Sequence, residues 1–468
     1  MRGDVEWSRS ELLALVAMAV AVFVDGLDAS IVNIALPTIA ASFGIDAGQA
    51  AWVTIMYFMM IAGLMLSFGR LADSGHIKKI YIVGFVLFTI GSLACGFSGD
   101  LIMLVASRAV QGLGAAMLGA VAPLICVKLV SPTRLGVAMS ILMVGGAIGF
   151  GCGPAVGGFI VDVASWHWAF FINVPVGIGA VLLALKVLPN DSDTERSKLD
   201  LKGSILLFVA VICGVYVLEM FSIADQTAIC IILAVVMVLS LAAFVFAENR
   251  AKYPMLNLSV FREWRFSTLV LGYILVNLAY MGIAYLLPFY LNKEMDVSNT
   301  FAGLLILVPS VVTMIVSIPA GWYADSHGRR GLCVVACAAM LVAAIGYYLI
   351  EPEMGWIPFI PVGLAGGVFW GLCGASLTSY VIDLAPEKEK GMASTLTAFL
   401  YYVGGTVGTA LFASLATYGS GTSGIPLDLI PPGDFLFGYH FAVAFAIALS
   451  VAALIMVVAV VKKRVNSA

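Results

Sequence analysis

The sequence predicts an all-α polytopic membrane protein: 14 transmembrane helices, built as two six-helix bundles with two further helices inserted between them, and both termini cytoplasmic. Three observations predict it. The chain is 62% hydrophobic and 11% charged, with mean hydropathy +1.06, where a soluble domain carries roughly 25% charge. Of its 24 Lys and Arg, all but Arg108 and Lys293 fall at the termini or in alternate gaps between long apolar runs. Cytoplasmic loops collect these residues, so the alternation both counts and orients the spans. Finally, the chain repeats itself. Gly69-Arg70-Leu71-Ala72-Asp73-Ser74 recurs as Gly321-Trp322-Tyr323-Ala324-Asp325-Ser326, and Gly136-Val137-Ala138-Met139-Ser140 is echoed by Gly391-Met392-Ala393-Ser394 at nearly the same offset. Parallel halves facing each other across a midplane are a carrier architecture.

A membrane helix needs ~20 mainly apolar residues. Runs that qualify cover 12–37, 49–68, 80–97, 101–127, 135–160, 168–188 and 203–222, then 226–247, 267–291, 299–322, 332–350, 356–383, 391–416 and 437–461. The first contains two aspartates and no small-residue cleavage site close behind, which predicts an uncleaved helix rather than a signal peptide. Most gaps are short, so sequential helices are antiparallel neighbours. The longer connections are 189–202 and 248–266, both cytoplasmic by parity, and 417–436, external. The expected units are 1–199 (six helices), 200–262 (the inserted pair and its cytoplasmic connection) and 263–468 (six helices).

Charged groups inside these runs are the functional candidates. Asp25 and Asp28 lie in the middle of the first run, spaced i, i+3 on adjoining parts of one face, with Asn33 continuing that side. A carboxylate at membrane depth costs ~2.5–3.5 kcal/mol on insertion scales and usually marks an ion or proton pathway. Low dielectric favours the neutral acid, and a neighbouring carboxylate adds repulsion. Such a group binds a proton from one side and loses it to the other; the competing role is a structural hydrogen bond to a neighbouring helix. Arg108 stands in the outer half of the fourth run, with Gln111 and Gly112 one turn on. An obligatory cation there needs a carboxylate or polar partner. Asp25 or Asp28 supplies it if the first and fourth helices touch; otherwise the side chain snorkels to the outer interface.

Further along, the fifth run carries Gly145, Gly146, Gly149, Gly151, Gly153, Pro154, Gly157 and Gly158. Small residues at four-residue spacing let backbones approach, and Pro154 removes a helical hydrogen bond. Packing alone accounts for them, or a pivot. The tight turn from Gly69 holds Arg70, Asp73, Lys78 and Lys79, and Asp73 can cap a helix or pair with a cation from another. With Asp325 and Arg329 of the second copy, this predicts a cytoplasmic gate. Glu219 closes the seventh run, either as a solvated helix-end acid or as an attractor of cations at an external opening. Expected substrate contacts are Asn33, Tyr57, Gln111, Glu219 and Tyr280.

No nucleophile elbow, phosphate loop, zinc signature or dinucleotide fingerprint stands in a confirming context. The expectation is therefore no catalytic residue, no metal and no cofactor, with ion gradients as the energy source. The balance of −3 gives no nucleic-acid patch.

These residues resemble the major facilitator superfamily and, more narrowly, its fourteen-helix drug:proton antiporter branch. Leu27-Asp28-Ala29-Ser30-Ile31-Val32-Asn33-Ile34-Ala35-Leu36-Pro37 is similar to that branch's first-helix motif, with Ser30 where Thr is usual. The resemblance puts the family's membrane aspartate on Asp28; Asp25 is additional. Gly69, Leu71, Ala72, Asp73 and Lys78 match the cytoplasmic loop motif implicated in gating, and Ser74, His76 and Ile77 depart from it. Arg108, Gln111 and Gly112 match the fourth-helix motif linked to proton transfer. Gly149, Gly153, Pro154, Gly157 and Gly158 match the fifth-helix antiporter motif, and Trp166, Trp168, Asn173, Pro175 and Gly177 the opening of the sixth helix. The implied protein is a monomeric carrier in a prokaryotic inner membrane. It exports small amphipathic, cationic compounds by alternating access, driven by protons on Asp28, Asp25 and Arg108. Alternatives are a carrier for one defined metabolite, peptide, siderophore or lipid, and a membrane sensor without transport.

Overall fold

The computed structural model describes residues 7–45, 47–191, 200–220, 226–251, 254–422 and 427–462. The described residues form helices and connecting turns, with no strand among them. Among the described residues, thirteen helical stretches are long and apolar enough to cross a membrane. One of them, Gln49–Gly96, is 48 residues long and breaks at Gly75, whose φ of 105° lies where side chains are disfavoured. It is therefore divided here into α2 (Ala47–Leu71) and α3 (Ile77–Gly96), joined by a π turn over Ala72–His76.

In chain order the other helices are α1 (Arg9–Phe43), α4 (Leu101–Leu129), α5 (Leu135–Val163), the short α6 (Trp168–Phe171) and α7 (Asn173–Val187). Next come α8 (Leu201–Met220) and α9 (Thr227–Arg250). The remainder are α10 (Trp264–Lys293), α11 (Asn299–His327), α12 (Arg330–Leu349), α13 (Phe359–Cys373), α14 (Ser379–Leu384), α15 (Lys390–Gly419) and α16 (Asp434–Lys462). Local sequence sets several ends. Ser8 and Glu11 form a reciprocal capping box at the start of α1, and Gly44 closes it in the left-handed region. Asp100 caps α4 by accepting from the Met103 amide at 2.8 Å.

The two halves pack alike. In the first, α1 lies against α5, α2 and α3 against α4, and α3 against α7. In the second, α10 lies against α15, α11 and α12 against α13, and α12 against α16. Across the seam, α5 meets α11 and α2 meets α15, pairs that exchange when the halves are interchanged. The pair α8 and α9 packs on itself and touches the rest chiefly through α2. There the Ser67 hydroxyl donates to Ser204 Oγ at 2.8 Å. The outer surface is apolar: Ile102 is 82% exposed and Phe437 73%, as lipid contact requires.

The α1–α5 contact shows what the glycine run does. A β-carbon at Gly149 would collide with the carbonyl of Phe23, one at Gly153 with Ser30, and one at Gly157 would press on Ile31. Gly158 faces open space. Three of the four motif glycines therefore seat α1 against α5 within one half. The side chains of Pro154 and Glu219 lie outside the described residues.

Candidate functional site

Asp28 and Arg108 are both fully buried, on helices that touch. Arg108 Nη1 donates to Asp28 Oδ2 at 2.6 Å and to Gln111 Oε1 at 2.6 Å. Asp28 Oδ1 accepts from Gln111 Nε2 and from Asn173 Nδ2, each at 2.7 Å. Gln111 Nε2 also reaches Ser92 Oγ at 2.8 Å. Nε of Arg108 donates to the Val53 carbonyl at 3.0 Å, and its Cζ lies 4.0 Å from the centre of the Tyr57 ring. Five helices thus converge on this network, because α1, α2, α3 and α4 pack there and the first turn of α7 brings Asn173. Arg108 Nη2 and Asn173 Oδ1 are buried with no hydrogen-bond partner among the described residues. An incompletely satisfied network is one that can rearrange.

Of the two partners open to Arg108, the geometry selects Asp28. Asp25 faces elsewhere: its Oδ1 accepts from the Tyr57 hydroxyl at 2.7 Å, and its Oδ2 accepts from the Tyr402 hydroxyl. Tyr57 belongs to α2 and Tyr402 to α15, so Asp25 bridges the two halves. Tyr57 joins the two acid sites, its hydroxyl on Asp25 and its ring under Arg108. Gln111 is buried within the Asp28 network and presents no surface to a ligand. Asn33 is exposed, with the Thr54 hydroxyl 3.5 Å from its Oδ1. Tyr280 stacks on Trp370 at 5.0 Å. Sequence reasoning did not single out Asn173 or Tyr402 as site residues; each is a polar group at a helix position whose partner comes from another part of the chain.

At the face carrying the basic loops, the sequence repeats turn out to be each other's partners. Asp325 of the second copy accepts from the Gly136 and Val137 amides at 2.8 and 3.0 Å, capping α5 of the other half. Arg329 reaches Asp325 at 3.2 Å and also pairs with Asp383. Asp73 of the first copy pairs with Lys128 at 2.8 Å, while Arg70 stands 3.9 Å away. It lies so close over Gly391 that a β-carbon there would collide with the carboxylate. Gly69 similarly seats against Thr395. Lys78 faces away from the seam: its ammonium donates to the Leu185 carbonyl and Asn190 Oδ1, both at 3.1 Å, tying α3 to the end of α7.

The family model described as Major Facilitator Superfamily matches residues 18–409. A riboflavin transporter, RibZ of Clostridioides difficile, is 29% identical over 409 residues, 87% of this chain and 88% of its own. Multidrug resistance protein Stp of Mycobacterium tuberculosis is 30% identical over 411 residues, 87% of this chain and 76% of its own. Among solved structures, a bacterial homologue of the iron transporter ferroportin in an outward-facing state superposes with a TM-score of 0.67. It is 14% identical, covering 97% of this chain and all of the other, a likeness of fold.

Proposed function

Since this chain belongs to the major facilitator superfamily, it is a membrane-embedded secondary transporter and not an enzyme, and we propose that it exchanges protons for small amphipathic, cationic compounds. On this reading 14 helices span a prokaryotic inner membrane, both termini are cytoplasmic, and the working unit is a monomer of two bundles (1–199 and 263–468) with 200–262 inserted. The observation that carries it is the buried network of bonds around Asp28. Protonating Asp28 removes the charge that pairs with Arg108, yet the guanidinium keeps the Val53 carbonyl, Gln111 and the Tyr57 face. The cation therefore keeps polar partners when Asp28 is protonated, although its charge then lacks a counter-ion, and that cost favours movement of Arg108. Because Tyr57 also holds Asp25, a shift of Arg108 is felt at the seam between bundles.

The gate then opens and closes the cytoplasmic mouth where Asp325 caps α5 of the other half and Asp73 lies over Gly391 of the other half. Arg329 and Lys128 pair with these acids from within their own halves. Reconstitution in liposomes with an imposed pH gradient tests the reading, using ethidium as the cargo. Efflux that ignores the gradient would falsify it. The riboflavin-transporting relative supports a second reading, a carrier for one defined metabolite. Metabolite profiles of the medium from cells with and without the gene, set against survival on a drug panel, separate the two.

A further inference from the structure

Asp25 is a membrane acid that the Asp28 network does not use, and the second half presents a continuous aromatic row to it. Tyr280 and Trp370 are stacked with their centres 5.0 Å apart and planes 4° from parallel. Trp370 meets Tyr401 at 5.6 Å, and Tyr401 meets Tyr402 at 5.1 Å. The Tyr402 hydroxyl ends the row on Asp25 Oδ2. These residues come from α10, α13 and α15, and each stands within about a turn of its helix midpoint. All four rings and Asp25 nevertheless retain accessible surface. Partly open side chains at mid-height thus meet across the seam between the bundles.

The chemistry of these side chains is specific. Ring faces favour flat aromatic ligands through offset stacking, and a cation adds attraction to the rings. A carboxylate favours a hydrogen-bond donor, most of all a charged one. We propose that Asp25 and the row Tyr280–Trp370–Tyr401–Tyr402 form a ligand site for fused-ring planar aromatics that carry an N–H donor at one edge. The donor takes the place of the Tyr402 hydroxyl on Asp25 Oδ2. Binding thereby breaks a hydrogen bond that ties the two halves together, and the ligand itself loosens the seam. Asp25 is thus a substrate-side group, distinct from the proton carrier Asp28. This inference rests on the transport reading above and names the substrate class of its central site.

Equilibrium binding to the purified full chain in detergent, with no gradient, tests it independently of proton coupling. The probes are proflavine (planar, cationic, with N–H donors), lumichrome (planar, neutral, with N–H donors) and tetrabutylammonium (cationic, neither planar nor a donor). Proflavine and lumichrome are expected to bind and to compete, and tetrabutylammonium to do neither. Asp25→Asn should weaken proflavine about tenfold and lumichrome less, since both lose a bond to a carboxylate but only the first also loses the pairing of opposite charges. Trp370→Leu should weaken both about tenfold, and Trp370→Phe less because a ring remains. Tyr402→Phe keeps the ring and removes the competing hydroxyl, so both probes should bind more tightly. Monodisperse elution of each variant verifies its fold. Equal binding of tetrabutylammonium, or proflavine affinity unchanged in both Asp25→Asn and Trp370→Leu, overturns the site. If the wild type binds as expected but its efflux ignores a pH gradient, the proton reading fails and this one stands.

Discussion

Neutralising Asp28 separates a proton carrier from a structural ion pair. Its carboxylate lies 2.6 Å from Arg108 Nη1, and both side chains are fully buried. Removing one partner of such a pair typically costs ~3–5 kcal/mol, because the other charge is left uncompensated in low dielectric. In Asp28→Asn the new amide adds donors to a site where Arg108, Gln111 and Asn173 already donate, which places the loss toward the upper part of that range. The second change Arg108→Gln removes the stranded charge and should restore most of the stability. Thermal unfolding in detergent reads the first quantity: a lowered midpoint in the single variant, largely recovered in the double. Ethidium flux in liposomes reads the second, and both variants should be unresponsive to an imposed pH gradient. Gradient-driven efflux by the double variant would refute the reasoning, since a site without ionisable groups would then suffice.

Three further outcomes follow from the geometry. Tyr57→Phe loses the bond to Asp25 but keeps a ring 4.0 Å from the Arg108 Cζ, so coupled efflux should fall less than in Tyr57→Ala, where an attraction of up to ~2 kcal/mol is also lost. Asp325→Ala removes the cap of α5 and a partner of Arg329, at ~1 kcal/mol for the cap alone; an introduced Ser140→Cys should then be labelled faster from the cytoplasmic side, and an unchanged rate argues against a gate. Gly149→Ala should cost ~1–3 kcal/mol by forcing α1 from α5, whereas Gly158→Ala meets nothing and should leave the melting midpoint in place.

Much of the fold was legible because hydropathy and loop charge are properties of consecutive residues. The apolar runs, the turn that follows Gly69, and the doubling of Gly69–Ser74 and Gly136–Ser140 could all be read from the chain alone. So could the candidacy of Asp28 and Arg108, since a charge in hydrocarbon must find a partner wherever it lies. The sequence by itself determined an antiparallel helical membrane protein of two similar halves, with acids in its first helix and an arginine within its fourth that needs a partner.

Only the tertiary structure decided how those acids divide their work. Asp25 and Asp28 are three residues apart, about 60° around the helix. That angle turns Asp28 into a network closed within one half and Asp25 toward Tyr402, which comes more than half the chain later. The same holds at the gate, where Asp325 caps a helix of the other half and Lys78 turns away. Periodicity fixes which face a residue occupies. What stands opposite that face depends on how two bundles meet, and no local pattern encodes it.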